Sequence, residues 1–307
     1  MTTDPFPIQR DLTPGVPGVV VACMEQGEKP VVVLDEQLIR RLEATFRAVP
    51  RDARGFVLAS SAPRAFVAGA DLKSILAMSD DELTRYLEFG SRVFGMLAEL
   101  PMPTAAAIHG ATLGGGLELA MHCDGLIACP PAPAPDGTPG RAYPVGLPEA
   151  GLGICPGWGG TNLLPARMDA AEAIRRTASG RAMTFDEAQA AGLFDAVAKD
   201  GSSLLATAAA WVASCPMPTR DSVPSRCVSR ESFRAKALAG LEAVRDELVP
   251  MNGTGTKAAS AVVEAVDRGI ASGWADGLAS ERASLVRLRH TPEAQGAIEA
   301  FFAKSKK

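Results

Sequence analysis

Ile108-His109-Gly110-Ala111-Thr112-Leu113-Gly114-Gly115-Gly116-Leu117-Glu118-Leu119-Ala120 sets three consecutive glycines between two apolar runs. The run before them, Thr104–Ile108, is strand-like, and the one after, Leu117–Met121, is helix-like. Glycine lets the backbone approach a ligand closely, and the start of a helix presents N–H groups without intrahelical acceptors. Glycine also costs a helix about 1 kcal/mol relative to alanine, so three in a row are more than packing alone needs. Glu118 follows at once, among Leu117, Leu119, Ala120 and Met121. A carboxylate beside backbone donors suits chemistry on a carbonyl: the donors hold a developing oxyanion and the carboxylate moves a proton.

Working outward, strand-like and helix-like patterns alternate. Val19–Ala22 and Val31–Leu34 are short β-branched runs flanking the turn Gln26-Gly27-Glu28. Asp35 is placed to cap a helix whose apolar positions are Leu38, Leu42, Phe46 and Val49. Gly55–Ser60 and Gly125–Cys129 read as buried strands. Ser79–Glu82 and Thr184–Glu187 are capping boxes, and Gly192 is placed to stop the second of those helices. The alternation implies an α/β core with largely parallel strands. Pro130–Gly140 reads as a Pro-rich surface insertion. The pattern turns helical past the Pro/Ser-rich connector: Phe233, Ala237, Leu241, Val244 and Leu248 form one stripe, and Ala259, Val262, Val263, Val266 and Ile270 another. Thr291-Pro292 starts a further helix. These readings divide the chain into an α/β core at 1–214, a connector at 215–228 and a helical region at 229–307.

Bulk composition excludes several function classes. The 307 residues carry a formal net charge of −4 with no basic block, which argues against nucleic acid. The six cysteines form no C-x-x-C pair, so they read as reduced thiols of a cytoplasmic protein rather than zinc or redox ligands. No apolar run has membrane-spanning length, and Met1–Arg10 has no apolar signal core. The glycine run does not fit G-x-G-x-x-G, Gly253–Lys257 lacks P-loop spacing, and no G-x-S-x-G elbow is present. Two further stretches carry candidates. Ala65–Lys73 follows the Gly55–Ser60 strand and offers small residues at a helix start, among them Ala68 and Ala70. Glu149, in Val145-Gly146-Leu147-Pro148-Glu149, precedes the Gly-rich Gly151–Thr161. His109 and Asp124 read as structural, and His122 and His290 have no patterned partners.

AFVAGADLKSI (65–75), PMPTAAAIHGATLGGGLELAMHCD (101–124), VGLPEAGLGICPGWGGTNLLPARM (145–168) and TASGRAMTFDEAQAAGLFDAV (177–197) together resemble the crotonase (enoyl-CoA hydratase/isomerase) family. Residues 256–307 resemble the end of the hydratase half of multifunctional fatty-acid oxidation alpha subunits. The resemblance implies a crotonase-like spiral of ββα units with a helical C-terminal region. It implies oxyanion donors at the N–H groups of Ala70 and Gly115, and coenzyme A or substrate contacts at Ala68, Ala70, Asp71, Leu72, Lys73 and Gly114. It places the two hydratase glutamates at Glu118 and Glu149. The implied reaction adds water to a trans-2-enoyl-CoA in fatty-acid β-oxidation, with no metal or cofactor beyond the coenzyme A of the substrate. The other reactions open to such a site are double-bond isomerisation and acyl-CoA hydrolysis, and a non-catalytic acyl-CoA-binding role belongs to a different class. The expected assembly is a homo-oligomer, a trimer or hexamer, served by a separate dehydrogenase for the next step. Trp158 and Asn162-Leu163 stand where the family often has a small residue and Gln-Arg. Trp158 therefore either limits the acyl tunnel or is an ordinary packed aromatic.

Overall fold

The computed structural model describes residues 3–27, 31–134, 136–138, 140–250 and 255–305. Glu28 of the first turn, Pro135 and Pro139 of the Pro-rich insertion, and Gly253 and Thr254 of the P-loop-like stretch lie outside the described residues. The strands are β1 (Ile8–Arg10), β2 (Val19–Met24), β3 (Gly55–Ser60), β4 (Ala65–Val67), β5 (Thr104–Ile108), β6 (Ala111–Leu113), β7 (Gly125–Ala128), β8 (Pro144–Gly146), β9 (Met183–Thr184) and β10 (Ala196–Val197). The helices are α1 (Glu36–Ala48), α2 (Leu72–Ala77), α3 (Asp80–Gly95), α4 (Gly115–Met121), α5 (Gly160–Leu163), α6 (Ala170–Ser179), α7 (Phe185–Ala190), α8 (Leu204–Ser214), α9 (Glu231–Leu248), α10 (Lys257–Ser272), α11 (Trp274–Leu288) and α12 (Pro292–Ser305).

The chain forms two compact units. The first comprises Met1–Asp71, Arg92–Val145 and Met183–Ser225; the second comprises Leu72–Ser91, Gly146–Ala182 and Arg226–Lys307.

The first unit is built on a six-stranded sheet of order β1-β2-β3-β5-β7-β10, parallel except for β1. Its central strands (VVVACM, GFVLAS, TAAAI, GLIA) are apolar on both faces, as a parallel sheet covered on both sides requires. Helix α8 covers one face through Leu204, Ala208, Ala209 and Val212. A Cβ at Gly55 would come within 2.5 Å of Val212 and one at Gly125 within 2.5 Å of Trp211, so glycine at both positions lets the helix settle onto the strands. A second sheet of order β4-β6-β8-β9 pairs β4 with β6 in parallel, Ala65 opposite Ala111 and Val67 opposite Thr112. The expected caps are in place. Asp35 accepts the Leu38 N–H at 2.7 Å, and both capping boxes close, Ser79 with Glu82 and Thr184 with Glu187.

One expected strand is absent. Val31–Leu34 forms no strand, and only Leu34 makes an isolated bridge, to Ala70. The Gln26 side chain takes both main-chain groups of Val33, donating to its carbonyl at 3.0 Å and accepting its N–H at 2.9 Å. The neighbouring groups do pair, the Val32 carbonyl accepting the Ala68 N–H at 2.8 Å and Leu34 bonding Gly69 and Asp71, but they amount to one bridge and not a strand.

The second unit is helical. Helices α6, α9 and α10 close around Ile174, Val228, Ala237, Leu241, Val244, Val263, Val266 and Ile270. The two apolar stripes read in the sequence are thus the faces that meet here. A second cluster joins Ile154 and Cys155 to Ala258, Val262, Leu288, Ala294 and Ile298 of α10, α11 and α12. Thr291 caps α12 by accepting the Ala294 N–H at 3.2 Å. No described helix is long and apolar enough to cross a membrane.

Candidate active site

The first unit brings two of the sequence-predicted segments side by side. β4 and β6 are parallel neighbours, so Ala68–Asp71 and Gly114–Gly116 leave the same end of one sheet. Leu34 holds the first segment: its N–H donates to the Gly69 carbonyl at 2.9 Å and its carbonyl accepts the Asp71 N–H at 3.0 Å. That ladder uses the residues flanking Ala70 and directs the N–H of Ala70 away from Leu34. Gly69 sits at φ +114°, and a Cβ there would lie 3.5 Å from the Leu113 carbonyl, which measures how closely the two segments run.

The three glycines of the second segment have separate reasons. Gly114 is the cap residue of α4 at φ 52°, ψ −128°, backbone that favours glycine. Gly115 is the first helical residue, so its N–H has no acceptor within the helix. Gly116 packs on β4, where a Cβ would lie well inside 3.0 Å of the Val67 carbonyl. Helix α4 is buried along its whole length, and Glu118 is only 1% exposed. The first unit therefore combines two main-chain donors at one sheet end with a buried carboxyl on the helix that one donor begins.

The neighbouring polar residues are structural. His122 directs Nδ1 to the Glu118 carbonyl at 2.8 Å and meets the Phe94 ring edge-on. His109 Nε2 bonds the Ala62 carbonyl at 2.7 Å. Asp124 accepts the Thr104 N–H at 2.9 Å and pairs with Arg220 at 2.7 Å, pinning the Pro/Ser-rich connector to β5 and β7.

Glu149 belongs to the second unit. It opens a single 3₁₀ turn, Glu149–Leu152, that ends on Gly153 at φ 74°. Helix α12 lies so close that a Cβ on Gly153 would meet the Ala294 backbone, and Gly180, at the end of α6, leaves room for Gly151. Ile154 and Cys155 continue the turn into the C-terminal helical cluster. The carboxyl Oε2 of Glu149 is buried without a hydrogen-bond partner. Burial raises this carboxyl to about 8, opposed by a bond from its own backbone N–H and reinforced by the charge of Glu281.

Trp158 is 2% exposed, donates Nε1–H to the Leu87 carbonyl of α3 at 3.0 Å and meets Tyr86 edge-on at 5.4 Å. A Cβ on Gly90 would overlap the indole, so α3 carries a slot for it. Of the expected coenzyme A contacts, Ala68, Ala70 and Asp71 lie in the first unit, partly exposed. Leu72 and Lys73 lie in the second. There Leu72 packs on the C-terminal cluster, and the Lys73 ammonium stands 5.7 Å from the centre of the Phe302 ring.

One functional candidate was not singled out from the sequence. Glu281, on α11, is fully buried, and its carboxylate accepts the N–H groups of Gly159 at 2.5 Å and Thr161 at 2.8 Å, with the Thr161 hydroxyl at 2.5 Å. Its sequence signal is its place on the stripe Gly277, Glu281, Ser284, Leu288, which is buried throughout.

The enoyl-CoA hydratase/isomerase family profile matches residues 19–237, which include all the candidate residues named above except Glu281. Solved structures agree with the fold. An enoyl-CoA hydratase from Bacillus anthracis is 25% identical over 97% of this chain and 96% of its own, with a TM-score of 0.54. An enoyl-CoA hydratase/isomerase from Pseudoalteromonas atlantica T6c is 20% identical over 93% of this chain and 94% of its own, with a TM-score of 0.59. An enoyl-CoA hydratase from Mycobacterium avium subsp. paratuberculosis K-10 is 18% identical over 94% and 93%, with a TM-score of 0.57. With paired main-chain donors beside Glu118, and most of the chain matched by the family profile, this protein belongs to the enoyl-CoA hydratase/isomerase family.

Proposed function

We propose that the protein is an enoyl-CoA hydratase that adds water across the double bond of a trans-2-enoyl-CoA to give a 3-hydroxyacyl-CoA. The observation that carries the reading is the sheet end in the first unit, where main-chain donors at Ala70 and Gly115 accompany the buried Glu118. The thioester oxygen accepts both N–H groups. Water oxygen bonds to the β-carbon as its proton passes to Glu118, and the electron pair of the double bond moves onto the thioester as an enolate. Glu149 then gives its proton to the α-carbon, and exchange with solvent restores both carboxyls. Fixed donors stabilise the enolate more than the ground state, an effect worth roughly 3–4 kcal/mol of barrier per donor. The Glu149 carboxyl, with Oε2 buried and raised to about 8, supports its role as the proton donor near neutral pH.

Ala68, Asp71, Leu72, Lys73 and Gly114 take the coenzyme A and thioester portions in this reading. The enzyme works in fatty-acid β-oxidation in the cytoplasm as a homotrimer or hexamer, with a separate dehydrogenase oxidising its product. The test is loss of enoyl-thioester absorbance with crotonyl-CoA. Glu118→Gln and Glu149→Gln should each lower the rate by about 10²-fold or more while coenzyme A binding survives. A 3-enoyl-CoA and a saturated acyl-CoA serve as controls for isomerase and hydrolase activity. Turnover of either control with none of crotonyl-CoA rejects the hydratase reading.

A further inference from the structure

Two open cavities flank α11 in the second unit. One, of about 630 Å³, lies between α11 and α3; the other, of about 370 Å³, lies between α11 and α10. Ala279, Ala283 and Arg287 line both and are exposed, so they form the ridge between the two. Glu88 and Arg282 line the larger cavity, and Glu264, Arg268 and Asp276 the smaller; with Arg287 these make three acids and three arginines. None of the six forms an ion pair among the described residues. Asp80 and His290, also on the larger cavity, pair with each other. Ser284, only 4% exposed, lines the smaller cavity with a hydroxyl that has no hydrogen-bond partner among the described residues. Elsewhere on these helices exposed charges are matched within the chain, as Arg175 is by Glu247 and Arg245 by Asp267. Equal numbers of both signs, all unmatched, suit a partner with the same charge pattern.

We propose that this face, α11 with the flanking walls of α10 and α3, binds a second copy of the chain about a two-fold axis. The register of the three helices supports it. Gly269 of α10 and Gly277 of α11 both abut the Asn162 amide, so in this hairpin 269 is level with 277, and 265 with 281. Asp80 of α3 bonds His290, and Glu88 shares a cavity with Arg282, so α3 also runs against α11 and Glu88 is level with Arg282. An axis crossing α11 level with 281 lays the helix antiparallel to its copy. Ala279 then faces Ala283 of the second copy, and side chains this small let helix axes approach to about 8 Å. Asp276 comes level with Arg287 of the second copy to within one residue's rise, about 1.5 Å. The same axis passes between the levels of Glu264 and Arg268, which sets each beside its opposite, and it brings Glu88 beside Arg282. One operator thus matches all six charges, each pair occurring twice. The inference does not depend on the hydratase reading; of the assemblies named there it admits the hexamer and not the trimer.

Sedimentation equilibrium of the full chain tests this. The wild type should assemble as an even number of 31.9 kDa copies. Asp276→Arg and Arg287→Asp each set like charges together twice across the axis. Each should weaken association by about tenfold or more, and so halve the mass at a concentration where the wild type is assembled. The double variant exchanges the two signs and should regain the wild-type mass, which loss of a merely structural residue would not allow. A wild type with one or three copies overturns the proposal, including the case in which the face serves an unrelated protein. Folded single variants of wild-type mass overturn it too, as does a double variant no heavier than the singles. If a single variant does not fold, Glu264→Arg and Arg268→Glu repeat the exchange on α10, with the same outcomes. Crotonyl-CoA turnover is measured separately: an inactive protein that still assembles through this face rejects the hydratase function and leaves the two-fold contact standing.

Discussion

Gly116 and Glu149 show how much single positions can carry. An added methyl at Gly116 meets a carbonyl oxygen of β4, which cannot rotate away as a side chain can. Gly116→Ala should destabilise the protein by about 1–3 kcal/mol and lower turnover further, because α4 must shift and take the Gly115 N–H with it. Chemical denaturation with parallel rate measurements checks this; full stability with full activity contradicts the packing. Glu149 makes stability depend on pH. Its folded value, about 8, lies above the ordinary 4.5, so between those values the native state holds a proton that the unfolded chain has released. Stability therefore falls as pH rises through that window, by at most about 1.4 kcal/mol per unit from this residue. Melting temperatures from pH 5 to pH 8 should decline in the wild type and decline less in Glu149→Gln. Glu118 was legible because a charge stands in an unbroken apolar run. Glu281 was harder to read: its role depends on bonds to residues about 120 positions away, which no local pattern shows.

At the scale of elements, short segments are held by side chains from distant helices. Arg289 of the α11 end reaches back to α2 and α3, donating to the carbonyls of Ile75 at 2.5 Å and Met78 at 2.8 Å and pairing with Asp80. Arg289→Met removes the donors and leaves two carbonyls short of partners, at a cost of about 1–3 kcal/mol each. The amides around Ile75–Asp80 should then lose hydrogen-exchange protection before those of β2 or β3. Uniform protection across the chain would show that α2 is held by something else. Trp158 works in the opposite direction, anchoring the Gly-rich loop on α3. Trp158→Phe keeps most of the packing and loses about 1 kcal/mol with the Leu87 bond. If Trp158 also bounds the acyl tunnel, the ratio of C4 to C16 turnover shifts with it. Caps, strands β3, β5 and β7, and the C-terminal stripes were readable because each is set by residues a few positions apart. The Val31–Leu34 segment was not: β-branched composition favoured a strand, yet it makes a single bridge, to Ala70, while a glutamine side chain holds both main-chain groups of Val33.

Across the whole molecule, the second unit draws its core from segments far apart in the chain. The Glu149 turn rests on α10, α11 and α12, which begin about a hundred residues later. Ending the chain before Arg226 strips Ile154, Cys155 and Ile174 of their cover, and the product should bind a hydrophobic dye and melt without a cooperative transition. A soluble fragment with a sharp melt would show that 146–182 needs no such bed. The helical C-terminal region could be foreseen from its stripes, but its partnership with 146–182 could not, because periodicity says which face is buried and not against what. The parallel pairing of β4 with β6 has a last, metrical consequence. Neighbouring strands repeat at about 4.8 Å, and an oxygen about 2.9 Å from two nitrogens so spaced subtends an angle of about 110° between them. That angle is close to the spread of an oxygen's lone pairs. In the proposed reading, the gauge of the oxyanion pocket is then inherited from the interstrand spacing and not from loop length. Insertions and altered helices could then reshape what lies around the proposed thioester site while the spacing of its two donors keeps one width.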